Sequence, residues 1–170
     1  MCPHEIGAAD RLQIRSCERR DITTILKILA QAPEAAAWSA AAAEEALSCD
    51  ARLFLVAGVA GELAGFAVAR LIADEAEMLN FAVKKAYRRR GIGRLLIEAL
   101  LNQLREQGAT KVFLEVRQSN AAAIALYRKL GFQSVGRRPA YYQQPDEAAV
   151  IMQAQLRRNF LPAPPTSRLL

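Results

Sequence analysis

Apolar positions along this chain change period several times, and each change predicts an element. "LQIRSC" (12–17) alternates apolar and polar, which predicts a first strand. "ITTILKILA" (22–30) follows Asp21, a residue suited to cap a helix. The alanine-rich stretch 33–49 predicts a second helix starting at Ser39, with Trp38 anchoring its start. Residues 52–72 read as a strand, a tight turn near Gly58 to Gly61 and a second strand, and "EAEMLNFAV" (75–83) reads as another. From Ile92 the period lengthens. Ile92, Leu95, Leu96, Ala99, Leu100 and Leu104 fall on one helical face, and Gly108 can end that helix. "KVFLEV" (111–116) is a short strand of β formers. "NAAAIALYRKLG" predicts a helix with Ser119 or Asn120 at its start and Gly131 past its end. "FQSVGRR" (132–138) and "AVIMQAQL" (149–156) close the series as strands. The order β-α-α-β-β-β-α-β-α-β-β predicts one α/β (or α+β) domain over 11–156, a mixed sheet with helices on both faces. Residues 1–10 and the proline-rich 157–170 are expected to be flexible tails.

Composition narrows the chemistry. With 170 residues, 52% of them hydrophobic and 24% charged, the chain suits one soluble domain with a proper core. No apolar run approaches the roughly 18 residues of a membrane span, and the start lacks a secretory stretch. Cys2, Cys17 and Cys49 form no CxxC pair, so free thiols in a reducing cytoplasm are expected. His4 is the only histidine and lies in the N-terminal tail. That removes Ser-His-Asp and Cys-His catalysis and any histidine-rich metal site, and no metal is expected. Catalysis must rest on carboxylates, tyrosine, backbone dipoles or lysine. The net charge of +6 admits anionic partners without choosing among a phosphorylated cofactor, RNA and the ribosome.

"AYRRRGIGRLLIEAL" (86–100) sharpens that choice. Three arginines run into Gly91-Ile92-Gly93 where the long helix begins. Free N–H groups at a helix start attract anions, and glycines let a phosphate approach the backbone. Arg88-x-x-Gly91-x-Gly93 therefore reads as a pyrophosphate cradle, with Arg89, Arg90 and Arg94 adding charge. An ordinary loop-to-helix turn has the same pattern. The glycine spacing is too short for a Rossmann site, and no Gly-Lys-Ser/Thr follows for a Walker loop. No interleaved aromatics support a nucleic-acid surface.

"NFAVKKAYRRRGIGRLLIEAL" resembles the acetyl-CoA-binding segment of the GNAT N-acetyltransferase superfamily. "LEVRQSNAAAIALYRKLGF" (114–132) resembles the ribosomal-protein-alanine acetyltransferase (RimI) family more closely. The resemblance implies a mainly antiparallel GNAT-like sheet and acetyl-CoA as cosubstrate. The backbone of Phe81, Ala82 and Val83 would pair with the pantetheine arm, Arg89 to Arg94 would hold the pyrophosphate, and Asn120 would touch the cofactor. Glu115 matches the family's general base and Tyr127 its general acid. Tyr141 and Tyr142 resemble paired tyrosines of the substrate channel, and the Trp38 region falls on the substrate side. Ala140 and Glu147-Ala148-Ala149 depart from the family's residues around that pair.

Read physically, Glu115 faces away from Val112, Leu114 and Val116. It is either a solvated or Arg117-paired carboxylate, or a base for an amine. Tyr127 can pack its ring while donating its hydroxyl to a departing thiolate. Asn120 can cap its helix, contact cofactor, or both. The implied reaction is acetylation of a protein N-terminal α-amine, with a small-subunit ribosomal protein bearing N-terminal alanine as the expected partner. The rivals are a GNAT enzyme acting on lysines or small amines, and a non-catalytic CoA-binding protein. No membrane partner is expected.

Overall fold

Strand β5 (Lys111–Arg117) shows how the pattern becomes architecture. Val112, Leu114 and Val116 are buried on one face, while Lys111, Phe113, Glu115 and Arg117 alternate to the other. The computed structural model describes residues 12–143 and 145–156, so both tails read from the sequence lie outside the described residues. The other strands are β1 (Gln13–Ser16), β2 (Arg52–Val59), β3 (Glu62–Ile72), β4 (Glu75–Val83), β6 (Gln133–Gln143) and β7 (Asp146–Gln155). They form one seven-stranded sheet ordered β1-β2-β3-β4-β5-β7-β6. Neighbours run antiparallel except β4 and β5, which are parallel.

Among the described residues four α-helices cover the sheet: α1 (Ile22–Ala30), α2 (Ala40–Ser48), α3 (Ile92–Glu106) and α4 (Ala121–Lys129). Leu96, Ile97, Leu100 and Leu104 of α3 are fully buried in one core with Leu114 and Phe132. Each such side chain contributes about 1.5–3 kcal/mol of burial. Ile25 and Ile28 of α1 and Ala43 of α2 make a second core with Phe54, Phe66 and Val68 on the opposite sheet face. The predicted element order is the observed one. Ser39 caps α2 by accepting from Ala42 N–H at 3.1 Å. The first hairpin turns at Ala60-Gly61, both left-handed (φ 52° and 81°). Gly108 and Gly131 sit past the ends of α3 and α4 with φ of 97° and 88°.

Three details differ from the sequence reading. Leu95 is 42% exposed, because the α3 core stripe continues through Ile97 instead. β6 runs on to Gln143 and includes the tyrosine pair, bending through register shifts between Arg138 and Tyr142. Asp21 does not cap α1 with its side chain. Its carboxylate turns back to accept from Glu18 N–H (2.8 Å) and from Nη1 and Nη2 of Arg15 (2.7 and 2.9 Å).

Chiefly the Arg15 hydrogen bond, opposed by burial, holds the Asp21 carboxyl below its ordinary value of 3.8. A folded value below the unfolded one contributes stability above the unfolded value, which is lost as pH falls through the folded one. Asp21→Asn is therefore expected to lower the urea midpoint near pH 7 and to cost less near pH 3. An equal cost at both would show that the Asp21 charge is not linked to folding.

Candidate active site

The sheet opens between β4 and β5. Their pairing runs only from Glu75↔Lys111 to Met78↔Leu114. Beyond it, the β3–β4 register slips by one residue between Met78 and Asn80, so Leu79 is an extra residue in β4. A bulge bends its strand and raises the local twist, which carries the far half of β4 away from β5. A cavity of about 710 Å³ fills the gap, lined by Phe81, Ala82 and Val83 on one side and Glu115 and Val116 on the other.

The exposed edge of β4 is specific. Lys84 N–H bonds Ala64 C=O on β3 at 2.8 Å. By strand alternation, the backbone groups of Phe81 and Val83 then face the gap, while those of Ala82 face β3. Two of the four are engaged by side chains. Phe81 N–H donates to Asn80 Oδ1 (3.0 Å), and Val83 C=O accepts from Arg88 Nε (2.9 Å). Phe81 C=O and Val83 N–H are thus one acceptor and one donor aimed at the cavity, a pattern that suits an amide-bearing chain.

At the start of α3, Gly91 is left-handed (φ 79°) and is the residue from which the helix begins. Arg89 is left-handed too, at φ 64°. Alternating hand turns successive N–H groups inward, as in an anion nest. A Cβ on Gly93 would lie 3.0 Å from the Phe81 ring and 3.4 Å from a Val83 methyl, so the missing side chain lets α3 sit close on β4. The arginines divide. Arg89 lines the cavity and makes no ion pair among the described residues. Arg94 lines it and pairs with Glu98 at 2.8 Å. Arg90 does not line it and lies 5.5 Å from the Tyr87 ring centre. Arg88 lines it but turns toward Glu34, with Nη2 at 2.7 Å from that carboxylate. Ile92 buries its side chain, so only its backbone is available.

Asn120 lines the same cavity and caps α4, its Oδ1 accepting from Ala123 N–H at 3.1 Å. Its amide nitrogen is not needed for the cap, so the two readings of this residue are compatible. Tyr127 is 5% exposed, packed between Phe81 (ring centres 6.4 Å apart) and Phe132 (5.6 Å). Burial first, and the neighbouring Tyr142 second, push its phenol well above the ordinary tyrosine range. It remains a neutral O–H donor at any physiological pH.

Glu115 lies across the cavity, and its partner is not Arg117. Its carboxylate pairs with Arg138 Nε at 2.9 Å and accepts from the Tyr141 hydroxyl, a bond that pushes the Tyr141 phenol up. Arg138 reaches it diagonally past Gly136, which stands in register with Ile151, itself opposite Glu115. Arg117 instead pairs with Glu147 (3.0 Å) and stacks on the Tyr142 ring at 4.1 Å. Glu147 also accepts from the Ser119 N–H (3.0 Å) and hydroxyl (3.1 Å), and Arg117 chiefly holds its carboxyl low. Tyr141 and Tyr142 meet edge to face at 5.1 Å, and both line the cavity. Trp38 does not. It packs edge-on against Phe54 at 6.2 Å in the second core.

Sequence reading did not single out Glu34, Asn80 or Arg138. Asn80 had a visible signal, one amide inside the apolar run "MLNFAV". It is 5% exposed, and its Nδ2 donates to Ala36 C=O at 3.0 Å.

A splayed parallel strand pair, a glycine turn opening the helix between them and a bulge in the first strand of that pair define an acetyltransferase fold of the GNAT kind. The acetyltransferase (GNAT) family model matches residues 22–132, and the chain belongs to that family. The chain is 47% identical over 94 residues to the ribosomal protein bS18-alanine N-acetyltransferase of Escherichia coli K12, covering 54% of this chain and 64% of that enzyme. The Haemophilus influenzae protein of the same name is 41% identical over 98 residues, covering 56% of this chain and 66% of its own length. In three dimensions the Escherichia coli ribosomal-protein-S18-alanine N-acetyltransferase superposes with a TM-score of 0.77 and 34% identity, covering 89% of this chain and 99% of that one. Ard1 from Thermoplasma volcanium gives 0.77 with 33% identity, covering 85% and 97%.

Proposed function

We propose that this protein transfers an acetyl group from acetyl-CoA to the N-terminal α-amine of a protein, with a small-subunit ribosomal protein bearing N-terminal alanine as acceptor. One observation carries the reading. Glu115 and the buried Tyr127 line a single cavity that also reaches the glycine turn at the start of α3. The names of the bS18-alanine acetyltransferases support the choice of acceptor.

The residues present fit acetyl-CoA. The N–H groups around Gly91 would hold the pyrophosphate, with Arg89 and Arg94 adding charge. Phe81 C=O and Val83 N–H would pair with the pantetheine amides, and Asn120 Nδ2, not used in the helix cap, would make a further polar contact. Acetyl-CoA supplies the acetyl group as a thioester. Glu115, oriented by Arg138 and Tyr141, takes the proton that the attacking amine loses, directly or through water. The new bond is nitrogen to carbonyl carbon, and the bond that breaks is carbon to sulfur. Tyr127 donates its hydroxyl proton toward the departing sulfur. A phenol kept neutral by burial is suited to that donation.

An α-amine has a pKa of about 7.7–8.0 and a lysine about 10.4. Presenting neutral lysine at the same pH therefore costs roughly 3–4 kcal/mol more. With no histidine among the described residues, a lone carboxylate suits the α-amine better. A peptide with N-terminal alanine and an internal lysine is expected to be acetylated at the α-position, with the lysine left alone. Tandem mass spectrometry of the product checks this. Acetyl mainly on the lysine, or only on a free small amine, would reassign the acceptor.

A further inference from the structure

The four arginines of the α3 turn are not equivalent, and Arg88 stands apart. Its Nε donates to Val83 C=O at 2.9 Å, and its Nη2 lies 2.7 Å from Glu34 Oε1. The first is a charge-assisted hydrogen bond and the second a close ion pair, and together they aim the guanidinium at the segment between α1 and α2. That segment is tied a second time, where Asn80 donates to Ala36 C=O at 3.0 Å. Asn80 opens the splayed half of β4, and Arg88 follows its end. The two ties thus hold Ala36 at the start and Glu34 near the end of the β4 edge that borders the cavity.

The segment lies on a definite side. α3 and α4 pack on the face to which Val112, Leu114 and Val116 point. Ala32 and Ala35 belong to the opposite core, with α1 and α2. Glu115 points to that opposite side, as the alternation along β5 requires. An acceptor amine must reach Glu115 there, so Glu34 and Ala36 border the acceptor's approach while the glycine turn serves the cofactor.

We propose that Glu34 and Arg88 form a latch that sets the acceptor wall, which makes both positioning residues for the acceptor and removes Arg88 from the phosphate cradle. The proposal rests on the acetyltransferase reading for its kinetic consequence only, because the latch itself is a contact that can be tested without catalysis.

The test measures three things on Glu34→Gln and Arg88→Gln in the full chain. They are hydrogen exchange over residues 31–39, calorimetric affinity for acetyl-CoA, and kinetics with an alanine-N-terminal peptide. Faster exchange in 31–39 is expected for both variants, with acetyl-CoA affinity within about twofold. The acceptor KM should rise about fivefold with kcat little changed, the scale of one partly exposed ion pair. Glu34→Asp, which keeps the charge, should recover part of the protection and of the KM. Unchanged exchange in Glu34→Gln overturns the latch. An Arg88→Gln chain that loses about tenfold in acetyl-CoA affinity, with exchange in 31–39 unchanged, returns Arg88 to the phosphates and overturns it too. If no peptide is acetylated by the parent chain, the exchange result alone decides the latch, and the failure belongs to the proposed acceptor.

Discussion

Tyr127→Phe is expected to bind acetyl-CoA as the parent does and to lose about 10²–10⁴ of its turnover. The ring carries the packing. Phe81 and Phe132 hold it at 6.4 and 5.6 Å, and phenylalanine keeps those contacts. The hydroxyl makes no hydrogen bond among the described residues, so its removal leaves no partner stranded. The substitution therefore separates packing from proton donation in one atom. The phenol is pushed well above the ordinary range, chiefly by burial, so it does not ionise in the working pH range. The loss should accordingly be nearly constant across neutral pH and should appear in kcat more than in the KM for acetyl-CoA. Steady-state rates and calorimetry on the same preparation check it. Turnover within a few-fold of the parent would mean that the ring packs and the departing sulfur is served by another group.

How much of this was legible beforehand depended on the range of the interaction involved. Ser39, Gly108, Asn120 and Gly131 were readable because caps and helix ends are local, set within one turn of chain. Asp21 departs from its local signal because a partner on another element competes for it. Its local signal was a cap, but Arg15, six residues back on another element, took the carboxylate. The helical face was right except at Leu95, where a stripe drawn from periodicity cannot tell its flank from its centre. The opening between β4 and β5 left no pattern of its own, since it arises from a bulge at Leu79 in the pairing with β3. The partners of Glu115 were equally out of reach. The sequence offers Arg117 two residues away, whereas alternation and the β6–β7 hairpin supply Arg138 and leave Arg117 to Glu147. The motif gave the arginines as a cluster. Only the fold distinguishes Arg89, which lines the cavity with no ion pair among the described residues, from Arg88, which is turned toward Glu34.

The glycine turn carries the second large effect. Gly91→Asp is expected to fold and to lose acetyl-CoA binding, while Gly91→Asn folds and binds much closer to the parent. Gly91 has φ 79°, and a Cβ built there meets nothing within 4 Å, so the cost of a side chain is conformational and not steric. Asn and Asp tolerate the left-handed region best among non-glycine residues, and they differ by little besides charge. Their comparison therefore isolates the electrostatic term. Two unit charges about 4 Å apart interact by about 4 kcal/mol at the effective dielectric of a protein surface, and by about 1 kcal/mol in bulk water. A carboxylate set against a pyrophosphate at the helix start should thus weaken binding by roughly tenfold to a thousandfold relative to the asparagine variant. It should also recover partly in high salt, where the Debye length falls to about 3 Å at 1 M. Isothermal calorimetry of both variants at low and high salt, with thermal melts to confirm folding, makes the measurement. Equal affinities for the two variants would move the pyrophosphate away from Gly91, and with it the reading of this turn as the cradle.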